Sequence, residues 1–279
     1  MRIGIISQLL SDPRATLIVL LLALPGRMLA ICGHEAAHGW VAERCGDPTA
    51  RRSGRITLNP LKHLDPVGFV CFLLLGIGWA RPVPVNPNNF RHGRKDDLKV
   101  SLAGICANLL MFLTGTILLY VIACAVLANL PVYGSGAVSE LYRYSVSGTP
   151  ALVTSDGWYQ VRDLMNNAAY ISDVLIAPAC GRVAGWLYDM LGYFVSCNLM
   201  LAVFNLIPVP PLDGYHVLND LVLKRNLFAS RDAARTCMVI LYVAIFMGWV
   251  SKVLSYVYSG VFSVFGLGVT SLLTGMGLF

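Results

Sequence analysis

The chain has 279 residues, of which 56% are hydrophobic and 13% are charged. Because an ordinary soluble domain is roughly 25% charged, this composition excludes a disordered chain, a coiled coil, a collagen and a small disulfide scaffold, and it indicates an integral membrane protein. The net charge of +6 does not point to nucleic acid, since the basic residues flank apolar segments, as membrane orientation requires.

The first apolar segment, 16–42, is predicted to be a membrane helix. A cleaved signal peptide is the alternative interpretation of residues 14–24. The apolar pattern resumes after Arg27, however, and its second half contains His34, Glu35 and His38. Ionisable side chains inside a membrane segment are costly and usually functional. We therefore expect this helix to remain in the mature protein and to contain catalytic residues.

Segment 44–99 is predicted to be a cytoplasmic loop that contains a re-entrant element. Its apolar run, 67–80, is shorter than the roughly 20 residues that a helix needs to cross a bilayer. Basic residues flank this run on both sides, and a segment that dips in and returns keeps all of them in the cytoplasm. The stretches 54–59 and 79–85 have strand-like composition and predict a small, partly embedded β element.

The rest of the chain predicts further membrane segments around one external loop. The predicted elements are a second core helix (100–130), an external loop (131–184), a helix that ends in Leu-Asp-Gly (185–214) and one or two C-terminal membrane segments (236–279). Whether 261–279 crosses again is left open. The predicted fold class is an all-α integral membrane protein, a polytopic bundle of about five to six helices with a small re-entrant β element, in one domain over 1–279.

Residues 33–38, GHEAAH, contain an HExxH motif. Residues four apart share one helix face, so both imidazoles can bind one ion. The adjacent Glu35 then lies close enough to activate metal-bound water. The alternative is that His34, Glu35 and His38 satisfy one another within a helix bundle.

A catalytic zinc usually takes three protein ligands, and Asp213 is the best candidate for the third. It follows a span that descends in the same direction as the HExxH helix, after a proline-rich break that bends the chain inward. The alternative is a helix-terminal residue at the surface. A third ligand from a glutamate is disfavoured, because Glu43 lies near His38 on the same helix and Glu140 is predicted outside.

Five sequence motifs, in order over about residues 16–224, resemble one known family. They are GHEAAHGW, GDPTARRSGRITLNPLKHLDPVGF, GWARPVPVNPNNFR, SLAGICAN and NLIPVPPLDG. The chain resembles the site-2 protease family of intramembrane zinc metalloproteases, and within it the small members that lack PDZ or other appended domains. Two positions depart from the family pattern: Gly104 is followed by Ile105 where proline is usual, and Tyr215 replaces a small residue.

The resemblance implies an enzyme that binds Zn²⁺ and cleaves single-span membrane proteins within or near their transmembrane segments. It implies that His34, His38 and Asp213 are zinc ligands and that Glu35 is the general base. It also implies that Asn108 and Asn205 line the active site, as candidates for substrate binding or for an oxyanion donor. It also implies a bacterial inner or plasma membrane, with the active site toward the cytoplasm.

A substrate helix must unwind before cleavage, and the edges near 54–59 or 79–85 are predicted to receive the unwound strand by β-augmentation. Two other classes of function compete with a protease. A catalytically silent scaffold has no need of the base Glu35, and a metal transporter would distribute its ligands along a path through several helices.

Overall fold

The computed structural model describes residues 9–75, 80–128, 132–133, 169–171, 174–176, 182–224 and 231–275. Three helices are long and apolar enough to cross a membrane, over Pro13–Arg44, Arg94–Ile122 and Val183–Asn205. The helices Asp232–Ile245 and Trp249–Val264 are bent by 69° relative to each other, and they would add a fourth span if together they form one. The protein is therefore a helical integral membrane protein. The described residues supply three or four spans, and the predicted five to six stay a prediction.

The described elements follow in chain order. They are α1 (Pro13–Arg44), α2 (Thr49–Arg52), α3 (Pro60–His63), α4 (Pro66–Leu75), a 3₁₀ turn (Pro87–Asn89), α5 (Arg94–Ala128), β1 (Val132–Tyr133), β2 (Ala169–Ile171), β3 (Val174–Ile176), α6 (Arg182–Asn205), α7 (Asp213–Val217), a π-helical turn (Leu218–Leu223), α8 (Arg231–Phe246) and α9 (Trp249–Gly275).

Helix α1 begins at Pro13, is capped by Asp12 and continues past an internal proline, Pro25, to Arg44. The side chain of Asp12 accepts a hydrogen bond from the N–H of Ala15, which satisfies one of the free donors at the helix start. Leu17 and Leu21, in the first half of the helix, are more than half exposed. Exposed apolar side chains along a helix of this length are suited to contact with lipid.

The chain forms two compact units, one of residues 1–112 and 197–251, the other of 113–196 and 252–279. The first contains every residue that the sequence predicts for the site. Its core joins the end of α1 to the start of α5 through buried Ala42, Cys45 and Val100. In the second unit, Ser196 and Tyr258 share a hydrogen bond of 2.9 Å between their hydroxyls. The predicted single domain over 1–279 stays a prediction.

The ends of the predicted re-entrant segment lie side by side. Leu64 and Ala80 form an isolated antiparallel bridge, and the N–H of Arg81 donates to the carbonyl of His63 at 2.8 Å. Helix α4, between them, has ten residues, too few to cross a bilayer. The two ends therefore lie next to each other, as a re-entrant element requires, and the re-entrant element itself stays a prediction.

The described strands lie away from the stretches where β structure is predicted. Strands β1 to β3 form an antiparallel sheet in the order β1-β3-β2, within the predicted external loop 131–184. The described part of 54–59 and 79–85 contains only the bridge at Ala80, and Trp79 lies outside the described residues. Pro82 and Pro84 explain part of this difference, because neither has an N–H for a sheet. The embedded β element is therefore not confirmed.

Asp47 organises the loop between the re-entrant segment and α5. Its carboxylate is fully buried and accepts hydrogen bonds of 2.7 Å from the backbone N–H of Asn86 and from the side chain of Asn89. Burial alone would raise the pKa of Asp47, but these bonds and those from Thr49 hold the pKa below its ordinary value. The residue thereby ties the end of α1 to the chain that leads toward α5.

Candidate metal centre

His34 and His38 lie one turn apart on the same face of α1. Their rings are in edge contact, with centroids 4.6 Å apart, and their Nε2 atoms are separated by 3.0 Å. The His34 side chain is 9% exposed and that of His38 is 12% exposed. The i, i+4 spacing of the motif therefore aims both imidazoles at one buried point.

Asp213 reaches the same point from the first residue of α7. Its Oδ2 atom lies 3.3 Å from His34 Nε2 and 3.4 Å from His38 Nε2. Helix α6 ends at Asn205, and the chain turns tightly before Asp213, where Gly214 lies so close to the carbonyl of Leu206 that a β-carbon would overlap it. The predicted helical segment 185–214 thus has a break eight residues before the carboxylate.

The tautomer of His38 follows from its contact with a backbone carbonyl. His38 Nδ1 lies 2.7 Å from the carbonyl oxygen of Val100, and a carbonyl only accepts hydrogen bonds. Nδ1 must therefore carry the proton. In a neutral imidazole this leaves the lone pair on Nε2, the atom that faces Asp213.

The tautomer of His34 follows from two contacts of Asn108. The side-chain nitrogen of Asn108 donates to the carbonyl of Ala30 at 3.3 Å and to Oδ1 of Asn198 at 2.8 Å. Because the Ala30 carbonyl cannot donate, the amide must present its nitrogen there and its oxygen to His34, 2.6 Å from Nδ1. His34 therefore also carries its proton on Nδ1 and keeps its lone pair on Nε2.

When both imidazoles are neutral, three electron-pair donors thus converge without a proton between them. The candidate ligand atoms of His34, His38 and Asp213 all lie within 4.8 Å of one another. Asp213 Oδ2 is buried and has no hydrogen-bond donor. Such a group of lone pairs is unfavourable in a low-dielectric site unless a cation occupies it. Two imidazoles and a carboxylate are a donor set that suits zinc, so the residues present fit this ion.

Gly104 of α5 lets the helix backbone lie directly against both imidazoles. A β-carbon at this position would be 2.5 Å from His34 Cε1 and 2.5 Å from His38 Nε2. Val100, Gly104 and Asn108 are spaced four residues apart, so they form one stripe on α5 that contacts the two histidines. This role of Gly104 was not predicted, and the four-residue spacing within the stripe is the sequence signal that could have indicated it.

Glu35 is held by the backbone of the segment after the re-entrant element. Its Oε2 accepts a hydrogen bond of 2.8 Å from the N–H of Val83. The buried guanidinium of Arg55 donates to the carbonyls of Arg81 and Pro82, the two that directly precede that N–H in the chain, and it thereby fixes the chain there. Neither Arg55 nor Val83 was predicted, because their role depends on a contact between distant segments.

The asparagines predicted at the site differ in their surroundings. Asn108 is fully buried and uses both its oxygen and its nitrogen within the protein. Asn205 is half-buried at the end of α6, and among the described residues its side chain has no hydrogen-bond partner. A third asparagine, Asn198, is fully buried next to Asn108 and was not predicted.

Comparison with known proteins bears directly on this geometry. The model of "Peptidase family M50" matches residues 26–248, a range that contains both histidines, Glu35 and Asp213. The chain belongs to peptidase family M50. This confirms the predicted membership of the site-2 protease family.

Two relatives in this family are known from curated sequences. The chain is 35% identical over 189 residues to "Putative zinc metalloprotease YwhC" of Bacillus subtilis (strain 168), a match that covers 68% of this chain. It is 33% identical over 98 residues to Rip2 of Mycolicibacterium smegmatis (strain ATCC 700084 / mc(2)155), which carries the same description, and that match covers 33% of this chain. The chain spans 64% and 38% of the lengths of these relatives. No solved structure matches it.

Proposed function

We propose that the protein is an intramembrane zinc metalloprotease that hydrolyses peptide bonds within or near the transmembrane segments of single-span membrane proteins. One observation carries the proposal: the Nε2 atoms of His34 and His38, on a helix long enough to cross a membrane, lie 3.3 and 3.4 Å from the carboxylate of Asp213. The zinc metalloprotease descriptions of the relatives in this family support the same activity.

Three side chains at this site would hold zinc. Catalytic zinc sites commonly use three protein ligands, and His34, His38 and Asp213 would supply them here. When bound, zinc lowers the pKa of its water to about 7 and polarises the carbonyl to be cleaved. The protein must then supply a base at the correct position.

Glu35 is the proposed general base, and its two oxygens have different tasks. Oε2 accepts the hydrogen bond from Val83 N–H, which orients the carboxylate. Oε1 has no hydrogen bond to any described residue, so it is the oxygen that accepts a proton from water and later passes it to the leaving amine. Asn205, whose amide hydrogens are not engaged by the described residues, is the better placed of the two predicted asparagines to donate to a developing oxyanion.

An unwound substrate needs hydrogen-bond partners, and the stretch 54–59 offers them. In the part of the chain that the structure describes, the backbone N–H groups of Ile56 and Leu58 have no acceptor. The chain bends at Ile56 and Thr57, so substrate binding would have to extend this stretch, and residues two apart would then present their N–H groups on one side for β-augmentation. The stretch 80–85 is less suitable, since its N–H groups at Arg81 and Val83 are already used.

Charge supports an active site that faces the cytoplasm of a bacterial inner or plasma membrane. Arg44, Arg51, Arg52 and Arg55 follow the HExxH motif directly, and a second basic group precedes α5. Loops rich in lysine and arginine remain cytoplasmic. Asp213 and the end of α1 belong to the same compact unit as these loops.

The proposal is tested with Glu35→Gln, which keeps an oxygen for Val83 N–H but removes the base. Zinc content of the purified protein and the membrane proteome of cells that express either form are measured. A protease retains zinc in this variant and leaves single-span proteins uncut. The matched control is Glu43→Gln on the same helix, whose carboxylate pairs with exposed Arg51. Equal cleavage by wild type and Glu35→Gln, or no cleavage by either, contradicts the proposal.

A further inference from the structure

A chain of two buried asparagines extends from His34 toward α6. Asn108 accepts a hydrogen bond from His34 and donates one to Asn198. Both asparagines are fully buried, and both belong to the first compact unit. Neither side chain reaches the convergence point of the three candidate ligands itself, so any effect that they have on it passes through His34.

Asn108 can present either its oxygen or its nitrogen to His34, and the choice decides where the His34 lone pair lies. With the oxygen in place, Nδ1 carries the proton and Nε2 keeps its lone pair. With the amide turned by 180°, Nδ1 would have to accept a hydrogen bond, the proton would move to Nε2, and the ligand atom would be blocked. The orientation of one amide therefore controls whether His34 is able to bind metal.

Asn198 makes the second orientation unfavourable. If the Asn108 amide turned, its oxygen would face two acceptors, the carbonyl of Ala30 and Oδ1 of Asn198. A buried acceptor that faces only acceptors loses its hydrogen bonds, which disfavours this orientation. The contact to Asn198, at 2.8 Å, is shorter than that to Ala30, at 3.3 Å, so we expect Asn198 to contribute the larger share.

We propose that Asn108 and Asn198 are positioning residues that hold His34 in its metal-binding tautomer. The proposal rests on the proposed function, because it assumes that the site binds zinc. It gives Asn108 a role other than oxyanion donor, which its engaged amide nitrogen supports. His38 has an equivalent partner in the carbonyl of Val100, which cannot turn, so only His34 requires this second asparagine.

The test measures metal binding by the full chain, purified in detergent and stripped of metal. Zinc affinity is determined by competition with a chromophoric chelator, and Co²⁺ is bound in place of zinc to record its visible spectrum. Asn198→Leu removes the acceptor at similar volume, and Asn198→Asp retains an acceptor oxygen for Asn108. Thr116→Val on α5 is the control, since Thr116 is also a buried polar residue but lies two turns beyond Asn108.

We expect Asn198→Leu to lower zinc affinity by about 10- to 100-fold, the usual effect of losing a partner behind a metal-bound histidine, and to alter the Co²⁺ spectrum. Asn198→Asp and Thr116→Val should stay within about threefold of wild type. If Asn198→Leu elutes as an aggregate, Asn198→Ala replaces it.

Wild-type affinity and spectrum in the Leu or Ala variant would overturn the positioning role, as would an equal loss in Thr116→Val. Failure of the proposed function looks different. In that case the wild-type protein would bind no zinc, or the Glu35→Gln variant would cleave as well as wild type.

Discussion

The carboxylate of Glu35 accepts a hydrogen bond of 2.8 Å from the backbone N–H of Val83, which joins the HExxH helix to the segment that follows the re-entrant element. Glu35 is the proposed base, so the position of this short segment matters for proton transfer. Arg55 is the residue that holds it, through the carbonyls of Arg81 and Pro82, which directly precede that N–H.

Replacement of Arg55 should therefore impair catalysis without removing zinc. Arg55→Lys keeps the charge but withdraws the donor, because one guanidinium nitrogen, Nη2, contacts both carbonyls and the ammonium of lysine ends a shorter side chain. We expect the cleavage rate to fall by about 10- to 100-fold, as small displacements of a catalytic group do, while zinc content stays at the wild-type level. Arg51→Lys is the control, because Arg51 makes an exposed pair with Glu43. Loss of zinc in Arg55→Lys would contradict this explanation.

A β-carbon at position 104 should displace the zinc ligands. Gly104→Ala would place a methyl group 2.5 Å from atoms of both imidazoles, so one ring or the helix has to move. We expect the zinc content of the purified protein to fall well below that of wild type, measured by mass spectrometry of the metal. Gly260→Ala on α9 is the control, since a β-carbon there meets no atom within 4 Å. Full zinc occupancy in Gly104→Ala would show that the backbone does not constrain the rings.

Asp47 should matter for stability and not for zinc chemistry. Asp47→Ala leaves the N–H of Asn86 and the amide of Asn89 without an acceptor, which we expect to destabilise the fold by about 1–3 kcal/mol. The midpoint of thermal unfolding in detergent measures this effect. Asp232→Ala, which removes an exposed carboxylate on α8, should change stability by less than about 0.5 kcal/mol.

The contribution of Asp47 should also depend on pH. Its pKa in the folded state lies below the ordinary value, so its stabilising effect is present above that ordinary value and is lost as the pH falls through the folded pKa. The unfolding midpoints of wild type and Asp47→Ala should approach each other in acid. A constant difference down to the lowest pH at which the protein folds would contradict this.

A second pH effect is expected at Asp220. Burial, followed by the neighbouring carboxyl of Asp97, raises the pKa of Asp220 to about 6. A raised carboxyl pKa means that the folded state binds a proton more tightly than the unfolded state, so stability should fall as the pH rises toward 6 and stay low above it. Asp220→Asn should unfold at a higher temperature than wild type at pH 7.5 and show a flatter dependence on pH.

His216, which contacts Asp97, should also make the protein less stable as the pH rises. His216 Nδ1 lies 3.1 Å from Asp97 Oδ2, and this hydrogen bond raises the pKa of His216. The stability that protonated His216 contributes is present at low pH and is lost as the pH rises through its folded pKa. In Asp220→Asn the remaining dependence of the unfolding midpoint on pH should therefore lie above pH 6.5. Its absence in the double variant Asp220→Asn, His216→Gln would assign this dependence to His216.

The proximity of the three candidate ligands could be predicted from the sequence, because the spacing of His34 and His38 is a local property and one carboxylate was expected at their depth. His34 and His38 share a helix face whatever surrounds them, and Asp213 was the carboxylate at a comparable depth after a proline-rich break. The structure brings these three side chains together within hydrogen-bonding range of one another. Family membership confirms the class of protein, while zinc binding at these residues stays a prediction for experiment.

The groups around the ligands could not be predicted in the same way. Val100 contributes a carbonyl oxygen, Val83 an N–H and Gly104 the absence of a side chain, and none of these depends on a chemically distinctive residue. Each acts through a contact between segments more than 40 residues apart. The β element was expected from composition at 79–85, where the prolines at 82 and 84 oppose a regular strand.

The stripe of Val100, Gly104 and Asn108 makes the two imidazoles dependent on the orientation of a single helix. A small rotation of α5 about its own axis would move the Val100 carbonyl and the Asn108 oxygen away from the two Nδ1 protons at once. It would also bring the helix backbone near Gly104 into contact with the imidazole rings. If these residues hold zinc as proposed, retention of the ion depends on the angular setting of α5, and a compound that binds beside this helix and rotates it would release the metal without contacting a ligand.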